Sequence, residues 1–193
     1  MMIRTIAAGL MLSIAVPAVA GAIDPAARIS AYNEGIVALL KARLGLQARR
    51  DRFETLVREF YDMPAIAQLV VGPKWSTSTP VDRNAAIAAL TRHSAVTLAR
   101  NFVAFRGEAF TVDPAVIDRG TNKIVRVRIT APGSSDTLLY VLRQSADGWK
   151  IVDVISEGVS QLAVQRADFA ASVASEGAGG LARRLAKLDA ATR

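Results

Sequence analysis

The hydrophobic period of this chain changes at Gly107, and that change constrains the fold more than any other feature of the sequence. Upstream, apolar residues recur at steps of three, four and eight, the spacing that gathers them on one side of a helix. Downstream they alternate, so that neighbours point to opposite faces of a strand. Helices and strands kept in separate blocks predict an α+β fold, with an antiparallel sheet packed by N-terminal and C-terminal helices. Strands are expected over residues 109–113, 123–130, 136–143 and 149–155, giving a twisted sheet of about four strands. Residues 131–135 and 145–148 are short and turn-rich, which suits hairpins and not helical crossovers.

Val125, Val127 and Ile129 share a face opposite Arg126 and Arg128, so one side of that strand is apolar and the other wet. The next strand is apolar on both faces, through Leu139 and Val141 on one and Leu138, Tyr140 and Leu142 on the other. That pattern implies a central position in the sheet.

Asp24-Pro25 opens the first helix, pairing a capping side chain with the residue whose φ suits the first turn. Its stripe of Ile29, Ile36, Leu39, Leu40 and Leu44 runs to Gly45. A second helix is expected from Arg49 to Tyr61, burying Phe53, Leu56, Val57 and Phe60. A short third one carries Ile66, Leu69 and Val70 and stops at Gly72-Pro73. Thr79-Pro80 caps what reads as the longest helix, with Ile87, Leu90, Leu98, Phe102 and Phe105 in one stripe, ended by Gly107. After Gly158 helix returns with Leu162, Phe169 and Val173, breaks over residues 177–180, and resumes around Leu181, Leu185 and Leu188.

At the N-terminus, Arg4 precedes an apolar run from Ile6 to Val16, and Ala18-Val19-Ala20 supplies the small residues that signal peptidase accepts. Residues 1–20 therefore read as a cleaved signal peptide and 21–193 as one exported, periplasmic domain. The run is shorter than the ~20 residues needed to span a bilayer. At 51% hydrophobic residues the chain has ample material for one core. It has no cysteine, so neither disulfides nor a thiolate metal site can form. Loss of Arg4 leaves 23 basic against 17 acidic residues, a net +6. The basic residues are spread without interleaved aromatics, which argues against nucleic acid as a partner and suits either attraction to anionic lipid surfaces or a scattered, solvating surface charge.

Groups that carry catalysis are sparse. His93 is the only histidine, so no second imidazole completes a ligand set or a relay, and a structural role is expected. Asp153, Ser156, Glu157 and Ser160 contain the makings of a proton-transfer site. They read more naturally as a strand-to-helix turn, with Gly158 supplying backbone freedom and Ser160 the helix cap. The glycines over 177–180 follow no strand and form no phosphate cradle. No metal and no cofactor is expected, and no enzyme.

Two segments resemble a known family. Tyr61-Asp62-Met63-Pro64, continuing to Val71-Gly72-Pro73-Lys74-Trp75 and on to Pro80, is similar to one signature of the MlaC or toluene-tolerance (Tol-tol-Ttg2) family. Gly148 to Ser160, followed by Gln165-Arg166-Ala167-Asp168-Phe169, resembles its other signature, with Gln165 standing where that signature has an aromatic residue. The resemblance spans roughly residues 25–190, and the form of the first segment is closer to the hopanoid-associated HpnM branch than to the phospholipid-transport branch.

The resemblance implies a periplasmic carrier of phospholipid or hopanoid that docks transiently on inner-membrane transporter and outer-membrane lipoprotein complexes. The residue patterns agree with it, because a one-sidedly apolar sheet beneath a Phe-bearing helix leaves room for a pocket of the ~300–1,000 Å³ class. Candidate lipid-lining residues are Val70, Trp75, Leu98, Phe102, Val127, Leu139, Val141 and Val154. Trp75, after the Gly72-Pro73 break, is a candidate gate of the pocket mouth or, equally, a plug of the core. Two other readings stand beside this one: a small periplasmic lipid-modifying enzyme using Asp153 or Glu157, and a structural adaptor of a membrane complex.

Overall fold

The computed structural model describes residues 24–191; the signal peptide expected over residues 1–20 lies outside them. Helix α1 (Pro25–Lys41) starts where the sequence places it, with the Asp24 carboxylate accepting from the backbone N–H groups of Ala26 and Ala27 at 3.1 and 3.2 Å. It stops before Leu44, and Arg43 turns the chain with a φ of 49°. Helix α2 (Leu46–Phe60) begins three residues before the expected Arg49 and buries Phe53, Val57 and Phe60. Asp62 caps α3 (Met63–Val71), Gly72 at φ 60° ends it, and the single turn α4 (Lys74–Thr77) follows.

Helix α5 (Pro80–Asn101) is shorter than its stripe suggests, because Phe102 and Phe105 lie beyond its end. Arg49 secures the stop. Its guanidinium donates to the Ala99 carbonyl at 3.0 Å, one of the groups a helix end leaves without a partner, and to the Val103 carbonyl just beyond the helix at 3.3 Å. Phe102 leaves the helical path and sets its ring 6.0 Å from that of Phe53, while Phe105 stays exposed beneath the Lys41 ammonium, 5.1 Å from its centroid.

The sheet has six strands, two more than expected: β1 (Ala109–Val112), β2 (Ile117–Arg119), β3 (Asn122–Ala131), β4 (Ser134–Ser145), β5 (Gly148–Ser156) and β6 (Val159–Ser160). The additional strands, β2 and β6, are three and two residues long, too short to display a period. All pairings are antiparallel in the order β1-β3-β4-β5-β6, with β2 sharing the edge of β3 with β1. β4 is central, as its two apolar faces imply. Between Val141 and Leu142 the register with β5 shifts, leaving Val152 as the extra residue of a bulge. Tyr61 bridges to Ile151 and the Asp62 N–H donates to the Ile151 carbonyl at 2.9 Å, which ties the α2–α3 joint to β5.

Helix α6 (Gln161–Ala190) is longer than α5, but it is interrupted at Gly177, whose φ of 58° and ψ of −141° leave the helical region. The expected break over 177–180 thus narrows to one residue. Gly179 and Gly180 continue the helix, and close packing explains their lack of a side chain: a Cβ on Gly179 would stand 2.7 Å from Asp82 Oδ1, and one on Gly180 would overlap the Ser172 carbonyl oxygen.

Two apolar clusters result. The first joins α1, α2 and the end of α5 to one face of the sheet, through Ile29, Tyr32, Ile36, Phe53, Val125, Val127, Tyr140, Leu142 and Ile151. The second is helical, built by α3, α5 and α6 around Val71, Leu90, Phe169, Leu181 and Leu185. Leu98 and Tyr61 pack against both.

Candidate functional site

The contact of α1 with the sheet is apolar. Among the described residues, the polar ties of α1 run to the α2 end instead: Arg28 donates to the Glu59 carbonyl at 2.6 Å, and the Tyr32 and Tyr61 hydroxyls lie 3.1 Å apart. Tyr32 stacks edge-on to Tyr61 and Tyr140, with ring centroids 5.7 and 5.9 Å away. Burial raises all three phenols above their ordinary pKa, Tyr61 to about 12, since a phenolate there would lose its hydration. The trio belongs to the first cluster, with a hydrogen bond joining Tyr32 to Tyr61.

Along the seam between α1 and the edge strand β1 lies a cleft of about 560 Å³, within the size range of small-molecule sites. Val37, Phe110 and Val112 supply apolar walls, Glu34, Lys41 and Glu108 the charged groups, and Asn33 part of the lining. Phe110 and Val112 also pack against the first cluster, so the cleft adjoins the core of the sheet. Asn33 is 3% exposed, yet neither its Oδ1 nor its Nδ2 has a hydrogen-bond partner. An orphaned buried polar group costs about 1–3 kcal/mol, so its retention calls for a reason.

The eight residues nominated from sequence fall into three places. Val127 is fully buried at the centre of the first cluster, and Leu98, Phe102 and Val154 pack against the same cluster. Val70 is buried in the helical cluster, with Trp75 half-buried against it. The Trp75 ring has the Arg83 guanidinium 5.6 Å from its centroid, and Arg83 donates to the Trp75 and Ser76 carbonyls, each at 2.9 Å. Leu139 and Val141 are half-buried on the other face of the sheet, paired with Arg126 and Ile124. The structure therefore brings four of the eight together. Asn33, Val37, Phe110 and Val112 were not singled out, although one signal was legible. Asn33 stands four residues after Ile29 and three before Ile36, a polar residue on the apolar stripe of α1.

The candidates for chemistry are occupied structurally. Asp153 Oδ2 accepts from the Ser160 hydroxyl at 2.6 Å, and Oδ1 accepts from the Leu162 N–H at 3.0 Å. Glu157 and Gly158 adopt positive φ in the turn between β5 and β6, and Ser160 caps α6. His93 Nδ1 lies 2.8 Å from Asp189 Oδ1, joining α5 to α6, with its ring edge-on to Phe169. Among the described residues no cluster of His, Cys, Asp or Glu is arranged to hold a metal ion, and no helix is long and apolar enough to cross a membrane.

Comparison with known proteins places this architecture. A family model described as "MlaC protein" matches residues 32–187. A solved structure of a phospholipid-binding protein from Ralstonia solanacearum, in complex with a phospholipid, superimposes with a TM-score of 0.69 at 22% identity, covering 86% of this chain and 97% of that one. No curated protein matches the chain.

Proposed function

The chain belongs to the MlaC family, and from that premise we propose that it is a periplasmic lipid carrier, exported by its first 20 residues and not an enzyme. Lipid binding and transport is the class of function this membership supports. The observation that carries the reading is the apolar seam between α1 and the sheet, open along about 560 Å³ and crossed by no hydrogen bond or ion pair among the described residues. The Arg28 and Tyr32 bonds hold α1 to the end of α2, while its contact with the sheet has no directional bond to break on opening, and what opening uncovers is the first cluster. Lipid tails then run over Val127, Leu98, Phe102 and Val154. Each buried methylene contributes about 0.8 kcal/mol, so tails alone give useful affinity for a phospholipid or a hopanoid. The phospholipid held by the Ralstonia solanacearum protein of the same fold supports this assignment.

The carrier shuttles its lipid between inner-membrane transporter and outer-membrane lipoprotein complexes, docking transiently on each. Native mass spectrometry of the protein as purified, followed by lipid extraction, tests the central claim. The expected result is a stoichiometric phospholipid or hopanoid released on denaturation; protein that carries no lipid, and takes none from vesicles, refutes it.

A further inference from the structure

Two loops meet at one end of the molecule, and both are basic and apolar in sequence. Residues 41–49, from the end of α1 into α2, contain Lys41, Arg43 and Arg49; residues 100–107, from the end of α5 towards β1, contain Arg100 and Arg106; neither segment has an acidic residue. Arg49 ties the loops together, its guanidinium donating to the Leu44 carbonyl of one at 3.4 Å and to the Val103 carbonyl of the other at 3.3 Å. The Lys41 ammonium over the Phe105 ring makes a second tie. Between the loops runs a groove of about 410 Å³, with Leu44, Ala104 and Phe105 in its walls.

The outer side of this tip is uncovered. Leu46, Val103 and Phe105 are 43, 55 and 39% exposed, a grouping that scattered surface residues do not produce. Lys41, Arg43, Arg100 and Arg106 are exposed beside them, none with an ion-pair partner among the described residues. Apolar side chains flanked by cations of one sign complement a surface that is negative outside and apolar beneath, which is the make-up of an anionic bilayer. Lys41 also lines the cleft along α1, so the tip adjoins the end of the seam.

We propose that this tip docks directly on an anionic bilayer: Val103 and Phe105 enter the head-group layer, Lys41, Arg43, Arg100 and Arg106 take lipid phosphates, and the end of the seam comes to lie against the membrane. The purpose of docking, passage of lipid between bilayer and seam, rests on the lipid-carrier reading; the docking itself does not.

The test is flotation of the exported chain, residues 21–193, which contains the whole described fold, with vesicles of phosphatidylcholine alone or mixed with phosphatidylglycerol. Binding is expected with the anionic vesicles only, weakening as salt rises. Arg43→Gln with Arg106→Gln should lower partitioning about fivefold for each charge removed, and Val103→Ser with Phe105→Ser roughly tenfold. Val81→Ser, at an exposed valine on α5, should leave it unchanged. Absence of binding to anionic vesicles, or tip variants that bind as the unsubstituted chain does, overturns the proposal. So does vesicle binding that survives the tip changes while association with a detergent-solubilised inner-membrane transporter complex is lost, since the tip would then dock on protein. Should the tip variants not fold, a fluorophore decides. The chain has no cysteine, so Ala104→Cys carries a single label between Val103 and Phe105. Its emission must shift to the blue on anionic vesicles, and an unchanged emission overturns the docking. Lipid content is read on the same samples: a chain that docks as expected yet carries and takes up no lipid refutes the carrier reading and leaves the docking standing.

Discussion

Ser160 donates its hydroxyl to Asp153 at 2.6 Å while its oxygen accepts from the Ala163 N–H at 3.0 Å, so one side chain locks the last long strand to the first turn of α6. Because both Asp153 oxygens are engaged in this joint, Asp153→Asn and Glu157→Gln are expected to leave lipid binding intact. Asp153→Ala should lower stability by ~1–3 kcal/mol, through the orphaned Ser160 hydroxyl and Leu162 N–H. Denaturant unfolding checks the stability, and a lipid-binding assay on the same samples checks function. A product-forming step on lipid that vanishes in Asp153→Asn would replace the carrier by an enzyme.

Filling the seam should separate binding from stability. Val37→Trp places bulk in a cleft that has room for it, so lipid occupancy is expected to collapse while Tm stays within about 2 °C. Val70→Ala leaves a cavity in the helical cluster instead. It should lower Tm by roughly 4–8 °C with lipid occupancy unchanged. Thermal melts and lipid extraction on both variants read the two quantities, and a Val37→Trp protein that keeps its lipid would move the binding path away from this seam.

The three buried tyrosines predict a loss of stability in alkali. In the unfolded chain these phenols ionise near 10.0, whereas the buried forms of Tyr32, Tyr61 and Tyr140 keep their protons to higher pH, Tyr61 to about 12. Above pH 10 the native state therefore binds more protons than the unfolded one, and stability falls as pH rises. The contribution is complete below pH 10 and, for Tyr61, is lost by about pH 12. Unfolding free energies measured across that window should decline, and Tyr61→Phe should make the decline shallower.

Gly180 distinguishes propensity from packing. Helix propensity alone predicts that Gly180→Ala gains about 1 kcal/mol. Its new methyl group would instead meet the Ser172 carbonyl oxygen, backbone that cannot swing aside. A loss of stability is expected, on the order of the ~1–3 kcal/mol of an overpacked core, read from denaturant midpoints.

Docking on membrane complexes should depend on salt. On the proposed function, in which residues 1–20 are removed, the net +6 of the remaining chain would steer association, and exposed charges are screened within about 8 Å at physiological ionic strength. Association rates with the acceptor complex are expected to fall as salt is raised; a salt-independent rate would exclude steering.

The order of helices and strands was legible before any coordinates, because period, caps and turn residues are local. Asp24-Pro25, Thr79-Pro80 and Ser160 start helices where their chemistry predicts, and the alternation after Gly107 marks the four longer strands. The place of β4 between its neighbours was legible for the same reason, since burial on two faces leaves a mark in one segment. Only the tertiary structure decided the rest. Where helix α5 ends, at Asn101, Arg49 takes the Ala99 carbonyl from fifty residues earlier and the Val103 carbonyl just beyond the helix, and nothing within the α5 segment records that contact. Val127 and Val141 belong to opposite faces of one sheet because register, set by pairing across strands, fixes which alternate residues look inward. Asn33 is polar in any reading of the chain. That its amide is buried and unpartnered beside a cleft with apolar walls and a charged rim depends on which strand α1 comes to lie against, and a single sequence does not contain that distance.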